Sequence, residues 1–346
     1  MNPYSRMPSR AFWRSGVAAA GPLEFAELYE PRFPLGAEDR ISTAGSCFAQ
    51  HIGRRLASAG FKYQDFEPGP PLLPREAWQR FGYGIYSARY GNIYTARQLL
   101  QTFERAFGER EPCEAAWISD KRVHDPFRPS IEPEGFADLD EFRAMQDAHF
   151  SAVRRLFEET DIFVFTFGLT EAWRDRRDGS VFPVCPGTVA GTFDDCIHEF
   201  HNFAFAEVYE DMRTFMAKVR AINPRMRYLF TVSPVPLTAT ASGQHVLSAT
   251  TYSKSVLRAV AGQLAAEDDD VDYFPSYEIV TTPTSRGLHY RANMREVAPA
   301  GVDLVMKHFF DMHPPPPVAA PAAPWRRPVR HPEDVWCDEA KLELMS

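Results

Sequence analysis

Residues 40–49 read Arg40-Ile41-Ser42-Thr43-Ala44-Gly45-Ser46-Cys47-Phe48-Ala49. The run from Ile41 is short, β-prone and ends at a glycine. Beyond it Phe48, Ile52 and Leu56 recur every four residues, the spacing of one helix face. A strand that passes into a helix at Gly45-Ser46-Cys47 is the opening of a β-α unit. The same pattern returns downstream. Asp161-Ile162-Phe163-Val164-Phe165-Thr166-Phe167 is almost continuously apolar, as expected of a parallel strand buried on both faces, and stops at Gly168. Residues 227–233 form a third such run ending at Pro234, and residues 271–274 a short fourth.

Helical stretches separate these strands. Thr95 caps one whose face carries Leu99, Leu100, Phe103 and Phe107. A second, over residues 139–159, presents Phe142, Met145, Phe150, Val153, Leu156 and Phe157. Others are expected from near Phe205, over residues 250–265 with Val256, Val260 and Leu264 in a stripe, and over residues 301–310. Strands alternating with helices predict a doubly wound, mostly parallel α/β sheet in three layers, with loop-rich insertions over residues 62–89 and 109–138.

Composition narrows the function classes. Hydrophobic residues are 45% and charged residues 24% of the 346, the mix of an ordinary globular protein. A net charge of -8, with no basic run among aromatics, argues against nucleic acid. No apolar run reaches the length of a membrane span. The cysteines are Cys47, Cys113, Cys185, Cys196 and Cys337, an odd number without a CxxC, which points to a reducing cytoplasm rather than a disulfide or zinc framework. Arg6, Arg10 and Arg14 precede an apolar stretch too short for a signal peptide. Residues 1–39 are therefore read as an arm, 40–312 as one domain, and 313–346 as a Pro-rich, flexible tail that offers a docking segment to a protein partner.

Ligands of open α/β sheets sit at the carboxyl ends of the strands. Here those ends carry Gly45-Ser46-Cys47, Gly168-Leu169-Thr170-Glu171 and Ser233-Pro234-Val235-Pro236. A nucleophile at the first would lie at a helix N-terminus, whose N–H groups stabilise an anion and lower a thiol's pKa. The alternative is structural: Ser46 caps the helix and Cys47 is a small buried apolar residue.

Ala44-Gly45-Ser46-Cys47-Phe48-Ala49 resembles the signature of the GSCFA family. Further ordered blocks share the resemblance, among them Tyr90-Gly91-Asn92-Ile93-Tyr94-Thr95, Asp125-Pro126-Phe127-Arg128-Pro129, Phe167-Gly168-Leu169-Thr170-Glu171-Ala172-Trp173 and Tyr252-Ser253-Lys254. That family is similar to the SGNH/GDSL hydrolases in its order of elements. The resemblance implies that Cys47, with Ser46 as the rival, stands at the nucleophile position. Gly45, Gly91 with Asn92, Gly168 with Thr170 and Glu171, and His201 would line the oxyanion and substrate pocket. The Asp-x-x-His block of those hydrolases falls on Asn293-Met294-Arg295-Glu296, where neither residue is present. Three readings follow: Glu296 acts as base, His289 reaches in from the preceding loop, or catalysis is lost and binding kept. His198 and His201 have a metal-like spacing without a third ligand, so no metal is expected. The implied chemistry is that of an esterase or O-acyltransferase on a carbohydrate or glycan precursor. No cofactor is expected beyond acyl-coenzyme A as an alternative acyl donor. The competing reading is a non-catalytic module that binds a glycan or nucleotide sugar in a degenerate site.

Overall fold

The computed structural model describes residues 2–21, 25, 27–317, 335, 337–339 and 342. Among them the chain forms, in order, β1 Ile41–Gly45, α1 Ala49–Ser58, α2 Arg75–Trp78, α3 Ala96–Ala106, β2 Trp117–Ser119, β3 Arg122–His124, α4 Leu139–Glu159, β4 Ile162–Phe167, β5 Glu171–Asp175, β6 Val181–Phe182, β7 His198–Asn202, α5 Phe205–Ile222, β8 Arg227–Val232, α6 Val246–Glu267, β9 Val271–Tyr273, α7 Ser276–Thr281 and α8 Pro299–Met312. The central sheet is four-stranded in the order β1-β4-β8-β9, and every pairing is parallel. Beyond β1 the chain adds one parallel bridge, Ile41 to Tyr63. The connection after β1 thus turns to one side of that strand and the later strands build on the other. The doubly wound α/β class expected from the sequence is the one observed.

Alternation along β4 assigns the layers. Phe163, Phe165 and Phe167 join α3, α4, α5 and α6 in one core. Ile162 and Val164 face the other way, into a core with α1, α7 and α8. Both faces being covered explains why the strand reads as an unbroken apolar run. Capping fixes the ends where the sequence places them: the Thr95 side chain accepts from Gln98 N–H at 3.1 Å, and Asp138 accepts from Asp140 and Glu141 at the start of α4.

Two differences matter. Residues 171–202 fold into a small antiparallel sheet, β6-β5-β7, where the sequence shows only turn signals. Its strands are short and rich in charge, as in Arg174 and Glu199, so the period-2 signal is weak. The tail also departs from expectation. His313 is buried and bonded to the Tyr29 hydroxyl at 3.0 Å, so the packed domain does not stop at residue 312. Residues 318–334, read as extended polyproline, lie outside the described residues. Cys337, Asp338 and Glu339, however, pack against the carboxyl end of the sheet. Among the described residues, no helix is long and apolar enough to cross a membrane.

Gly45 closes β1 at a position no other residue fits. Its φ is +137°, and a Cβ there would lie 2.4 Å from the Thr166 carbonyl oxygen and 2.8 Å from Thr166 N. These are backbone atoms of β4, fixed by the parallel ladder. Gly45→Ala is expected to cost about 3 kcal/mol or more through strain and overpacking together. Chemical denaturation should show this as a lowered midpoint with unchanged slope.

Candidate functional site

β1 is flanked by the Tyr63 bridge at its first residue, Ile41, and by β4 along its length, so the sheet changes direction at this strand. Segment 91–94 crosses its carboxyl end. Ile93 N–H donates to the Gly45 carbonyl at 2.9 Å, and Gly168 and Leu169 N–H both donate to the Tyr94 carbonyl, at 3.0 and 2.9 Å. Gly45, Gly91 and Gly168 thus converge on one cleft. The crossing needs a glycine at 168, since a Cβ would lie 2.9 Å from Ser46 Cβ and 3.0 Å from Tyr94 O.

Asn92 is held with its amide group aimed into this cleft. Tyr86 O–H and Gln50 Nε2, the latter at 3.3 Å, donate to Asn92 Oδ1, which leaves Nδ2 facing outward. The same tyrosine hydroxyl lies 3.2 Å from the Ser46 carbonyl. All three side chains are nearly inaccessible to solvent. The donor is therefore oriented by the domain's own core before any ligand arrives.

Cys47 is 4% exposed and enters the core beneath α8. The neighbouring Cys337 thiol and burial together push the Cys47 thiol well above its ordinary pKa. The lowering expected from the start of α1 is overcome, because a neighbouring thiolate and a dry environment both oppose a second negative charge. Cys337 moves the opposite way: the neighbouring Cys47 thiol and the Arg295 guanidinium, 3.4 Å away, hold it low against burial.

Lys254 supplies a second unusual group. It is 1% exposed on α6 and donates to the Gly168 carbonyl at 2.7 Å. Burial lowers its pKa to about 7, against which the nearby Cys47 and Glu339 pull upward. A lysine neutral near pH 7 keeps a lone pair for a proton. Arg295 pairs with Glu339 at 3.4 Å; burial works against its charge, and Cys337 and Glu339 sustain it.

The remaining sequence candidates are distributed as follows. Ser46 Oγ is buried with no hydrogen-bond partner among the described residues, and its Cβ faces Gly168. Thr170 Oγ1 donates to Asn202 at 2.7 Å and its N–H to Ser253 Oγ at 3.0 Å, so its hydroxyl is committed to β7. Glu171 accepts from Thr240, and burial raises its pKa. His201 bonds Glu207 at 2.8 Å at the head of α5. His198 bonds Glu114 at 3.1 Å, so the two histidines have separate carboxylate partners. His289 is buried with Nδ1 at 3.2 Å from the Val280 carbonyl and its Cβ against Gly301. Glu296 pairs with Arg291 on the surface. Neither candidate base makes a contact with Cys47.

Asn293 accepts from the N–H groups of Arg295 and Glu296, both at 3.1 Å. This Asx turn delivers Arg295, not Glu296, to the cleft. Arg295 meets Cys337 and Glu339, while Glu296, the residue expected from the sequence as base, meets Arg291. Lys254 lies in the segment Tyr252-Ser253-Lys254, where a lysine on an amphipathic helix reads as a solvated residue. A charged side chain three positions before Leu257 and seven before Ala261, on a buried face of α6, was the available signal.

A parallel α/β sheet with a thiol at its switch point, an oriented amide and a buried lysine defines the class: a three-layer α/β protein with a thiol-centred cleft. Residues 40–309 match the GSCFA family, and the chain belongs to it. Among curated proteins none matches. Among solved structures, a protein from Lactobacillus plantarum is 17% identical, with a TM-score of 0.28, over 45% of this chain and 69% of its own. A GDSL-like lipase from Bacteroides thetaiotaomicron is 10% identical, with a TM-score of 0.27, over 47% and 70%.

Proposed function

We propose that this chain performs acyl-ester chemistry at Cys47, as an esterase or O-acyltransferase on a carbohydrate or glycan precursor. The observation that carries the reading is that Cys47 and a neutral-leaning Lys254 are both buried and close enough to act on each other's charge, with Lys254 bonded to the Gly168 carbonyl just past β4. Because the Cys47 thiol is held protonated, it needs a base. The Lys254 amine takes the thiol proton as the sulfur attacks the ester carbonyl, and Asn92 Nδ2 donates to the oxyanion. The tetrahedral adduct expels the alcohol, which leaves with the proton from Lys254, and a thioester remains on Cys47. Water or a sugar hydroxyl then attacks the thioester, again giving its proton to Lys254, and the thiol is regenerated. Acyl-coenzyme A fits the first half-reaction as an alternative donor, with its own thiol as leaving group.

Reaction with p-nitrophenyl acetate should release a burst of one p-nitrophenolate per chain and leave an acetyl group on the Cys47 peptide, read by mass spectrometry. The competing reading, a glycan-binding module, is favoured by the absence of contact between Cys47 and either His289 or Glu296. No burst and no adduct would establish it in place of catalysis.

A further inference from the structure

Cys337, Asp338 and Glu339 enter the cleft from the far end of the chain, and each meets a different part of it. Asp338 Oδ2 accepts from Asn92 Nδ2 at 2.7 Å, Oδ1 accepts from Ser130 Oγ, and the Asp338 N–H donates to the Tyr94 hydroxyl at 3.3 Å. Glu339 and Cys337 both meet Arg295, each at 3.4 Å, and the Cys337 thiol neighbours that of Cys47. The Asp338 carboxylate therefore sits on the amide that would receive an oxyanion, and the Glu339 carboxylate sits on a guanidinium one step away.

A segment placed for stability alone would not be built this way. Buried carboxylates are costly even when paired. Glu339 is buried beside the Cys337 sulfur, and those two effects raise its pKa to about 8. The cradle, by contrast, belongs to the domain: Asn92 is aimed by Tyr86 and Gln50, and Arg295 by the Asx turn at Asn293.

We propose that Cys337, Asp338 and Glu339 are an internal ligand of the cleft, with Asp338 in the oxyanion position and Glu339 marking Arg295 as the subsite for a carboxylate on the ester substrate. The substrate class is then an acidic ester, such as a dicarboxylate half-ester or a uronate ester, that displaces the chain's own turn. The oxyanion part rests on the acyl-ester reading above; the Arg295 subsite does not.

Two measurements on the full chain test this without ester turnover. Diamide should accept two electrons and two protons from the Cys47 and Cys337 thiols, becoming the hydrazine and leaving one S–S bond between them. A Cys47–Cys337 linked peptide is the expected product, and its absence, with other cysteines oxidised, would overturn occupancy of the cleft. In the Asp338→Ala, Glu339→Ala double variant, iodoacetamide should label Cys47 on the order of tenfold faster than in the parent chain, since an occupied site is open only for the unplugged fraction. Succinate should slow that labelling and neutral succinamide should not. Adding Arg295→Met should abolish the protection by succinate. Equal labelling rates in the two chains, or equal protection by succinamide, would sink the proposal. Should p-nitrophenyl acetate give no burst with the double variant while succinate still protects its Cys47, the subsite stands and the acyl-ester chemistry falls.

Discussion

Replacing Cys47 by alanine is expected to lower kcat/KM for p-nitrophenyl acetate by about 10³-fold or more, the scale on which loss of a covalent nucleophile acts. Ser46→Ala should leave it within about threefold, because a hydroxyl without a base in reach is not an activated nucleophile. The reason is geometric. Ser46 and Cys47 are adjacent, but their side chains face different surroundings. Ser46 packs toward Gly168 with its oxygen buried and unpartnered, while Cys47 lies among Cys337, Arg295, Glu339 and Lys254. Removing an unsatisfied buried hydroxyl is also nearly neutral for stability, so Ser46→Ala should melt close to the parent. Steady-state kinetics of both variants, with thermal melts as the control for folding, separate the two residues. A Ser46→Ala loss as large as that of Cys47→Ala would place the nucleophile at Ser46.

The parts of the fold that follow from backbone physics were legible in the sequence. An apolar run such as residues 162–167 has one stable setting, a strand covered on both faces, and Gly45 has one, a turn into a helix with no room for a Cβ. The cleft was legible wherever it hangs on such points, at Gly45, Gly91 with Asn92, and Gly168. It was not legible where a side chain's direction depends on a turn. Asn293, Arg295 and Glu296 are equally polar in sequence, and only the Asx turn decides that Arg295 enters the cleft while Glu296 meets Arg291. Thr170 was misjudged similarly, since its partner Asn202 lies on a strand the sequence did not reveal. The position of Cys337, Asp338 and Glu339 was hidden by their context. They follow a stretch whose sequence is mostly Pro and Ala, and nothing local says that their acidic side chains have partners assembled from Asn92, Ser130 and Arg295.

Lys254→Met should reduce kcat/KM by about 10²–10⁴-fold, the range for loss of a general base. It should also change the shape of the pH profile. The amine accepts the Cys47 proton only when it is neutral, so the parent rate should rise with pH through about 7 and level off above it. In the variant that rising limb should vanish, and Lys254→Arg should lose it too, because a guanidinium stays protonated. The charged and titratable groups that face the amine are Cys47, Glu339 and Arg295, and since Glu339 is itself raised to about 8, Glu339→Gln is the control: the limb should persist there and vanish in Lys254→Met. Stability depends on the same proton. Burial depresses the folded pKa of Lys254 from 10.5 to about 7, so between these values the unfolded chain binds the extra proton and lysine's contribution worsens as pH falls. Urea denaturation should therefore show the Met variant gaining on the parent at pH 7 relative to pH 10, offset in part by the Gly168 carbonyl that loses its donor. A purely structural lysine would weaken the fold at both pH values and leave the pH dependence of turnover unchanged. If the variant keeps the limb near 7, the base lies elsewhere in the cleft.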